Sequence, residues 1–514
     1  MIIGEMDRTQ DVPMSAATLL MRAGVSPPER SADLKNILIT SVTDDSRRVG
    51  EGSCFVAVSG AKSDGHLFVG DAVAGGAKLI VAERECSAGG GAMVVTVPDA
   101  RRVLAKLAAA LHGVDPSGPH ALKLIGVTGT NGKTTVAWLL RCILESAGVR
   151  SALLGTVEYD LCGERMPALL TTPDPVTLAS HLATAHRAGA THAVLEVSSH
   201  ALDQRRCDGL AFDAAVFTNL SGDHLDYHGS IESYFAAKRR LFEGLGAGAV
   251  AAINMDDPRG AELCDSTQAR VVRYGIESSS VHVRASEIRL HVDHSEFLLA
   301  GRDFERSVSV PLVGSHNVEN ILAAAAAAEA MGVGPDLIVR GLERISGVPG
   351  RLERVSPPGG PFSVLVDYAH TDDALANVLR TLRRLTSGRL ICVFGCGGDR
   401  DRTKRPRMAG VVEKYADLAI ATSDNPRTEE PSAIIDEILA GFGDPPRCEV
   451  QVEPDRGRAI AEAISAAGEG DLVLIAGKGH EDYQEISGHR VPFDDRRVAR
   501  SCLAMPSVMA GDAA

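Results

Sequence analysis

Short apolar runs alternate with longer amphipathic stretches along most of this chain, and this alternation limits the folds available to it. The short runs are typical of buried strands, and the stretches between them carry apolar residues at helical spacing. The pattern predicts an α/β fold in which parallel sheets are covered by helices on both faces. Ligands then bind at the carboxyl ends of the strands. The predicted strands span residues 122–127, 193–197, 214–218, 249–254, 364–367, 390–394, 418–422 and 472–476.

Two loop-like stretches divide the chain, whose 514 residues exceed what one hydrophobic core usually supports. Residues 115–119 read Asp-Pro-Ser-Gly-Pro and residues 356–361 read Ser-Pro-Pro-Gly-Gly-Pro, and each stretch precedes a predicted strand. The sequence therefore predicts three domains, over residues 1–120, 121–350 and 351–514. The alanine run at 323–328 predicts a tightly packed helix.

The net charge of −14 argues against nucleic acid or an anionic membrane as a partner, because either would repel this surface. The ten cysteines include no CxxC pair, which is typical of a protein from a reducing cytosol. The apolar residues around Cys392 and Cys396 favour packing over metal binding. The first seven residues lack a secretory signal pattern, and the apolar stretch at 321–328 is too short to cross a bilayer. We expect a cytoplasmic monomer that does not insert into membranes.

Residues 126–135 read Gly-Val-Thr-Gly-Thr-Asn-Gly-Lys-Thr-Thr and lie between a predicted strand and a predicted helix. Glycines let the backbone curl so that its N–H groups face phosphate oxygens at the helix N-terminus. Lys133 can reach the outer phosphates, and the Thr134 hydroxyl can hold Mg²⁺. Val127 stands where the strict motif has glycine, and the alternative is a tight turn that binds no nucleotide. The expected nucleotide contacts are Gly129, Thr130, Asn131, Gly132, Lys133, Thr134 and Thr135.

Glu196 and His224 follow two further predicted strands of the middle segment. Neighbouring strand ends can supply a carboxylate and an imidazole to a Mg²⁺ ion whose other ligands are water and phosphate. Taken singly, Glu196 could equally be a helix-capping acid and His224 an ordinary loop histidine. Together with the phosphate loop, they favour a metal site.

The run Gly-Thr-Asn-Gly-Lys-Thr-Thr at 129–135 resembles the nucleotide loop of Mur ligases and of their relative folylpolyglutamate synthase. Further family motifs follow in order at 234–242, 314–320, 424–427 and 477–481, so the resemblance covers nearly the whole chain. This resemblance, and not the spacing, implies ATP-dependent amide ligation. It also implies an N-terminal UDP-substrate-binding α/β domain, a central P-loop ATPase-like domain with a parallel sheet, and a C-terminal Rossmann-like α/β domain.

The resemblance implies a modified lysine and a set of ATP contacts. Lys238 matches the family lysine that CO₂ carbamylates, and a carbamate would make it a metal-binding anion. The implied catalytic residues are Lys133, Glu196, His224 and Lys238. Without the resemblance, Lys238 would be interpreted as a surface lysine of an amphipathic helix. The implied metal ligands are Thr134, Glu196, His224 and carbamylated Lys238. Further implied ATP contacts are Asn254, Asn317, Arg351 and Asp367.

The first domain and part of the second match the family's contacts to its UDP-linked substrate, UDP-N-acetylmuramoyl-L-alanyl-D-glutamate. The family often has asparagine before the two threonines at 171–172, whereas this chain has Leu170. The implied contacts are Ser46, Ala61, Lys62, Ser63, Thr171, Thr172, Ser198, Gln204 and Arg206.

The run Asp-Asn-Pro-Arg at 424–427 follows a predicted strand of the third segment. Pro426 fixes the turn, and Arg427 offers a planar fork suited to a carboxylate. Meso-diaminopimelate has a distal carboxylate that lysine lacks, so lysine would leave Arg427 an unpaired buried cation. The run resembles that of diaminopimelate-adding Mur ligases; the alternative is a strand-to-helix turn with a solvated arginine. The implied contacts are Arg400, Asp424, Asn425, Pro426, Arg427, Gly477 and Glu481.

The resemblance thus implies ATP-dependent addition of meso-diaminopimelate through an acyl phosphate, with Mg²⁺ as cofactor and ATP as co-substrate. The nearest alternatives are a lysine-adding Mur ligase and a folylpolyglutamate synthase-like ligase, and both the first domain and Arg427 argue against them. A P-loop nucleotide-binding module without ligase activity is an alternative of a different class. Such a module would need neither the Glu196, His224 and Lys238 set nor the carboxylate pocket of the third domain.

Overall fold

The computed structural model describes residues 13–26, 33–60 and 63–504. The described residues of Met1–Tyr274 together with Ala326–Gly334 form one compact unit, and those of Gly275–Ala325 and Pro335–Ala514 form a second. Across these described ranges, no helix is long and apolar enough to cross a membrane.

The first unit begins with six short strands and three helices. These strands are β1 Met14–Ser15, β2 Leu38–Ile39, β3 Ser41–Thr43, β4 Ser53–Val56, β5 Leu79–Ala82 and β6 Met93–Thr96, and these helices are α1 Ala16–Arg22, α2 Val69–Ala74 and α3 Ala100–His112. Strands β3 to β6 pair in sequence order and are all parallel, while β1 and β2 form a separate antiparallel pair. Along β4, Cys54 and Val56 join one apolar cluster and Phe55 joins another. The sheet is therefore buried on both faces.

The larger sheet of the first unit carries the phosphate loop. Its strands are β7 Lys123–Thr128, β8 Ser151–Leu154, β9 Glu158–Asp160, β10 Arg165–Pro167, β11 His192–Glu196, β12 Ala214–Phe217, β13 Val250–Asn254 and β14 Arg270–Gly275. Its helices are α4 Lys133–Ser146, α5 Pro175–Arg187, α6 Ser199–Asp203, α7 Leu225–His228, α8 Ile231–Glu243 and α9 Gly260–Ser266. Within the first unit the strand order is β10-β9-β8-β11-β7-β12-β13-β14, and β9 alone runs opposite to the others, since it pairs antiparallel with both β8 and β10. The carboxyl ends of β11, β7 and β12 therefore lie side by side.

The second unit contains three antiparallel strands and a mostly parallel sheet. The antiparallel strands are β15 Val283–Leu290, β16 Ser295–Ala300 and β17 Glu305–Val310. The other strands are β18 Glu353–Arg354, β19 Ser363–Asp367, β20 Leu390–Phe394, β21 Leu418–Ala421, β22 Glu449–Val452, β23 Leu472–Ala476, β24 Tyr483–Ile486 and β25 His489–Pro492. Strands β18 to β23 form a sheet of order β18-β19-β23-β20-β21-β22, which is parallel except for β18, while β24 and β25 form a hairpin.

Helices cover both faces of the six-stranded sheet. The covering helices are α12 Asp372–Leu385, α13 Lys404–Tyr415, α14 Pro431–Leu439, α15 Arg456–Ala466 and α16 Asp495–Ala504. Two further helices, α10 Ser315–Ala330 and α11 Pro335–Glu343, come earlier in the chain. Along β20, Leu390, Cys392 and Phe394 join one apolar cluster, whereas Ile391 and Val393 join another. Because alternate residues of a strand face opposite sides, a strand buried on both faces is apolar throughout.

The structure confirms all eight predicted strands, and none of their ends differs from the prediction by more than one residue. The alanines at 323–328 are buried in α10, which confirms the predicted packed helix. Cys392 and Cys396 are buried as well, and Cys396 Sγ lies 3.6 Å from Met408 Sδ, as expected for packing. The boundaries at 120 and 350 stay predictions.

Candidate active site

The predicted phosphate loop joins the end of β7 to the start of α4. Gly129 has a φ of 146°, and an added Cβ would lie 1.9 Å from Thr218 Oγ1, so no side chain fits there. Thr218 Oγ1 also donates to Asn131 O at 2.6 Å. Asn219 O accepts the Thr130 N–H at 2.8 Å. The residues after β12 thus hold the loop in shape, and the first-turn N–H groups of α4 have no acceptor within the helix.

Lys133 is the first residue of α4, and its ammonium lies against the loop. Nζ donates to Gly129 O at 2.9 Å and to Thr130 O at 2.7 Å. An incoming phosphate would compete with these carbonyls for the same ammonium. This position suits the predicted role of Lys133.

Glu196 ends β11 and is 1% exposed. Its Oε2 accepts from Thr134 Oγ1 at 3.0 Å. Thr156 donates its N–H to Oε1 at 2.8 Å and its hydroxyl to Oε2 at 2.9 Å. Helix α6 is capped by Ser198, so the interpretation of Glu196 as a capping acid is wrong. A buried carboxylate beside a threonine hydroxyl supplies the hard oxygen donors that suit Mg²⁺.

Lys238 lies on α8 and is 1% exposed, so its interpretation as a surface lysine is wrong. Its Nζ donates to Gly129 O at 2.7 Å and lies 4.3 Å from the centre of the Tyr234 ring. Burial and the charge of Lys133 lower the pKa of Lys238 well below its usual value, although Asp223 acts in the opposite direction. The neutral amine is therefore favoured.

His224 lies at the start of α7 with a φ of 54°. Its ring packs edge-on against His200, with ring centres 4.8 Å apart, and its Nε2 lies 3.5 Å from Asp223 Oδ2. Burial lowers the pKa of His224, Asp223 raises it, and the charges of Lys133 and Lys238 lower it further. The neutral ring, which is the form that binds metals, is favoured.

Three of the predicted contacts to the UDP-linked substrate adjoin Glu196. Thr172 Oγ1 donates to Glu196 O at 2.8 Å and accepts the Ser198 N–H at 3.0 Å. Thr171 Oγ1 lies 3.1 Å from the hydroxyl of Thr156, which itself donates to the Glu196 carboxylate. The predicted metal ligand and the predicted substrate contacts therefore share one hydrogen-bonded network.

Arg206 extends this network. Its Nη1 donates to Thr172 O at 2.7 Å, and its Nη2 donates to Gln204 Oε1 at 2.7 Å. A half-buried guanidinium held at two points is suited to bind a carboxylate or phosphate group.

Two of the contacts predicted in the first domain, Ser46 and Ser63, lie among the described residues. In the described ranges, the side chains of Ser46 and Ser63 form no hydrogen bond with the network around Glu196. Burial and the charge of Asp174 raise the pKa of Asp44, so the segment that contains Ser46 lies near the N-cap of α5. Two further predicted contacts, Ala61 and Lys62, lie outside the described residues.

Two asparagines predicted to contact ATP are buried, each within its own unit. Asn254 is 2% exposed and donates to Thr218 O at 2.8 Å. Asn317 is 3% exposed and donates to Val313 O at 2.9 Å. Both side-chain amides therefore brace nearby backbone, and their contact to a nucleotide stays a prediction.

Asp367 and Arg351 lie together in the second unit. The carboxylate of Asp367 accepts the N–H groups of Leu352 at 2.7 Å and Ala369 at 2.8 Å. The Arg351 guanidinium lies 4.6 Å from the centre of the Tyr368 ring. Burial raises the pKa of Asp367, and Arg351 opposes that shift.

Arg427 is held by the β24–β25 hairpin. Its backbone φ is 54°, its N–H donates to Glu485 O at 2.9 Å, and its carbonyl accepts the Ser487 N–H at 2.7 Å. Its side chain is 20% exposed, and Nη1 donates to Gly398 O at 2.7 Å. A side chain fixed in this way does not fit the solvated arginine of the alternative interpretation.

The other predicted contacts to the amino acid adjoin a buried lysine. Lys478 is 0% exposed, and its Nζ donates to Asn425 Oδ1 at 3.1 Å and Glu481 Oε2 at 2.9 Å. Asn425 Nδ2 donates to the same Glu481 oxygen at 2.9 Å. Gly477 has a φ of 116°, and an added Cβ would lie 2.7 Å from Asp424 Oδ2. Residues 424–427 and 477–481 therefore form one cluster, which we call the Arg427 pocket.

Arg400 lies apart from the hydrogen bonds of this pocket. It is exposed, and its Nη1 donates to Asp399 O at 3.2 Å. Among the described residues, its guanidinium contacts neither Arg427 nor Glu481. Its predicted contact to the amino acid stays a prediction.

Three family models match successive parts of this chain: "Mur ligase family, catalytic domain" at residues 38–112, "Mur ligase middle domain" at 127–328 and "Mur ligase, glutamate ligase domain" at 350–479. The chain is also 45% identical over 468 residues to the UDP-N-acetylmuramoyl-L-alanyl-D-glutamate–2,6-diaminopimelate ligase of Syntrophomonas wolfei, with 90% of this chain and 94% of that protein covered. The chain belongs to the Mur ligase family.

Solved structures agree with this assignment. A structure named UDP-N-acetylmuramoyl-L-alanyl-D-glutamate–2,6-diaminopimelate ligase matches this Mur ligase with a TM-score of 0.70 and 36% identity, covering 96% of this chain and 99% of that one. Folylpolyglutamate synthase of Mycobacterium tuberculosis matches with a TM-score of 0.59 and 20% identity, covering 75% of this chain and 92% of that one. At that identity it shares the fold alone. The expected three-domain α/β architecture is thus confirmed.

Sequence reasoning missed three residues of this Mur ligase that contact the predicted site residues. Thr156 binds Glu196, Lys478 links Asn425 to Glu481, and the backbone of Glu485 holds Arg427. Lys478 was visible inside a Gly-Lys-Gly run, although nothing in the sequence gave its side chain a partner. Thr156 and Glu485 carry no local signal, because their partners are tens of residues away.

Proposed function

We propose that this Mur ligase adds meso-diaminopimelate to UDP-N-acetylmuramoyl-L-alanyl-D-glutamate and converts ATP to ADP and phosphate, in cytoplasmic synthesis of the peptidoglycan precursor. The observation that carries the proposal is the Arg427 pocket, in a chain whose relatives bear the name of this reaction. The pocket contains a guanidinium and a carboxylate, which suit the carboxylate and the ammonium of a second amino-acid end. Lysine has no carboxylate at that end.

The first unit would bind the ATP phosphates. The first-turn N–H groups of α4 and the Lys133 ammonium would donate hydrogen bonds to phosphate oxygens, as both lie at the curled loop after β7. Thr134, Glu196 and His224 would hold Mg²⁺, and the hydrogen bond between the first two places oxygen donors beside the loop. When bound, Mg²⁺ would neutralise charge on the transferring phosphoryl group.

Lys238 would carry a carbamate and complete the metal ligands. The neutral amine attacks CO₂, an N–C bond forms, and one proton is released to solvent, which leaves a carboxylate on Nζ. The burial of Lys238 and its lowered pKa support this proposal, because only an unprotonated amine has the lone pair for the attack.

The reaction would proceed in two steps. An oxygen of the D-glutamyl side-chain carboxylate attacks the γ-phosphorus of ATP, which gives an acyl phosphate and ADP. The diaminopimelate amine then attacks the acyl carbon, phosphate leaves from the tetrahedral intermediate, and the nitrogen loses a proton. The protein would contribute the Lys133 ammonium to the transferring phosphoryl group and the Arg206 network to the position of the acyl substrate.

In the proposed organisation, residues 1–120 bind the UDP end of the substrate, 121–350 bind ATP, and 351–514 bind the incoming amino acid. Three family models that match successive segments support this order. Leu170 departs from the family's asparagine, so we propose that Thr171 and Thr172 supply the contacts in that region.

The proposal is tested by supplying the purified chain with ATP, Mg²⁺ and UDP-N-acetylmuramoyl-L-alanyl-D-glutamate, together with either meso-diaminopimelate or lysine. We expect ADP release and a UDP-tripeptide mass with diaminopimelate, and at most a small fraction of either with lysine. Omitting the UDP substrate is the control, and ADP release should then stop. Nucleotide binding without substrate-dependent hydrolysis would instead indicate a non-ligase module.

A further inference from the structure

A pair of histidines closes the hairpin between β15 and β16. In the sequence, this pair lies far from the residues assigned to the ligase reaction. Strand β15 ends at Leu290 and β16 begins at Ser295. The His291 N–H donates to His294 O at 2.9 Å, so the two histidines face each other across a tight turn. Side chains opposite each other in an antiparallel pair share one face of the sheet.

Glu296 shares the same face. Residues two apart on a strand point to the same side, so His294 and Glu296 lie together while Ser295 points away. Ser295 is fully buried and donates to Leu312 O at 2.7 Å, whereas the His294 and Glu296 side chains are 32% and 43% exposed. The outer face of the hairpin tip therefore presents two imidazoles and one carboxylate to solvent.

The three side chains converge. The two imidazole rings stack with centres 4.2 Å apart and planes 7° from parallel. Glu296 places Oε1 3.3 Å from His294 Nε2 and Oε2 3.8 Å from His291 Nε2. One potential ligand atom from each residue lies within 4.8 Å of the other two.

A neighbouring carboxylate orients one of the rings. Asp293 Oδ1 lies 2.7 Å from His294 Nδ1 and accepts the proton of that nitrogen, so Nε2 is the ring nitrogen that faces Glu296. Metal-binding histidines are commonly held by a carboxylate on the other ring nitrogen in this way. Asp293 Oδ2 lies 3.5 Å from Arg354 Nη1, which keeps Asp293 in this supporting position.

Ion pairing alone does not explain the arrangement. If both rings were protonated to pair with Glu296, two positive charges would lie face to face at 4.2 Å. Two rings that bind one metal ion carry no proton on the bound nitrogens, so this repulsion is absent when the ion is present.

We propose that His291, His294 and Glu296 bind a divalent transition-metal ion, with Zn²⁺ as the best match. Two imidazoles and one carboxylate suit zinc, nickel or copper better than Mg²⁺, which prefers oxygen ligands. Two nitrogens on one tetrahedral zinc lie about 3.3 Å apart, so the exposed side chains need only small rotations to close on the ion. The bound ion would link the ends of β15 and β16 and fix the hairpin.

The test is calorimetric titration of the full chain with Zn²⁺ alone, after metal removal with a chelator and in excess Mg²⁺. The H291A/H294A double variant removes both imidazoles, and E296Q removes the carboxylate charge. The matched control is H489A, which removes an exposed histidine from the tip of the β24–β25 hairpin. If the double variant does not fold, the single variants H291Q and H294Q are titrated in its place.

We expect the double variant to bind one Zn²⁺ fewer per chain than the wild type, and H489A to bind the same number. E296Q, H291Q and H294Q should each weaken the site by at least about tenfold. Zinc bound by free cysteines elsewhere in the chain is the same in all variants, so it cancels when their stoichiometries are compared. Equal stoichiometry and affinity in the wild type and the double variant would overturn the proposal.

Discussion

Lys238 and Lys133 both donate to the carbonyl of Gly129, although only Lys133 belongs to the loop motif. Two ammonium groups at one carbonyl repel each other, and burial of Lys238 adds to the cost of its charge. The neutral form of Lys238 relieves both. The phosphate loop itself therefore favours the uncharged amine that carbamylation needs.

A carbamate on Lys238 is expected to be detectable. Enzyme equilibrated with ¹³C-bicarbonate should show one carbamate carbon signal, which K238M should lack and the exposed-lysine control K123M should retain. Because the pKa of Lys238 is lowered, its amine stays neutral to lower pH than an ordinary lysine, and the signal should fade only as the pH drops through that lowered value. A wild-type enzyme that is fully active yet gives no signal would contradict the assignment.

Lys478 is expected to position the groups that bind the amino acid. K478M would remove the ammonium shared by Asn425 and Glu481. Because hydrogen bonds to a charged group are strong, we expect their loss to raise KM for diaminopimelate about tenfold to 100-fold. Steady-state kinetics should show this rise while KM for ATP stays within about twofold of the wild type. An equal loss with both substrates would instead indicate general misfolding.

At the scale of elements, the β24–β25 hairpin is the support for Arg427. The N–H of Arg427 donates to Glu485 O, and the N–H of Glu485 donates to Asn425 Oδ1 at 2.9 Å. One short segment therefore fixes two residues of the Arg427 pocket through its backbone. The side chains of β25 are exposed, whereas those of β24 are mostly half-buried, and Gln484 Nε2 donates to Asp424 O at 2.9 Å.

Two substitutions at the same position test this backbone role. E485P removes the N–H and restricts φ, whereas E485A keeps the backbone intact. We expect E485P to raise KM for diaminopimelate at least about tenfold through the lost hydrogen bond to Asn425 and the displaced strand. E485A should change it by less than about threefold, because Glu485 Oε2 lies 3.7 Å from Arg427 Nε near the surface. Equal kinetics for the two variants would show that the hairpin backbone does not support the pocket.

Elements buried on both faces were predictable, and elements held by distant partners were not. Strands such as β20 and β23 are continuous apolar runs because both of their faces are covered. In the β24–β25 hairpin, the first three residues of β24 are half-buried and all of β25 is exposed, so no apolar run marks it. Lys238 was placed on its helix by pattern, but its burial depends on a loop more than one hundred residues earlier.

At the scale of the whole molecule, each unit contains its own group of predicted site residues. The first unit contains the phosphate loop and the Glu196 network, and the second contains the Arg427 pocket. Motifs predicted most residues of both groups, and the phosphate loop, Glu196 and the runs at 424–427 and 477–481 each lie at the end of a strand in a parallel sheet. In our proposal, selectivity depends on how rigidly Arg427 is held, and only the fold shows which groups hold it.

The most direct measurement compares kcat/KM for meso-diaminopimelate and for lysine in the wild type, R427A and R400A. The wild type should strongly prefer diaminopimelate. R427A should lose at least about 100-fold with diaminopimelate and little with lysine, because it lacks the partner of the distal carboxylate. R400A should lower both values by the same factor, because both amino acids have the α-carboxylate. A wild type that uses lysine equally well, or an R427A variant that keeps the wild-type preference, would contradict the account.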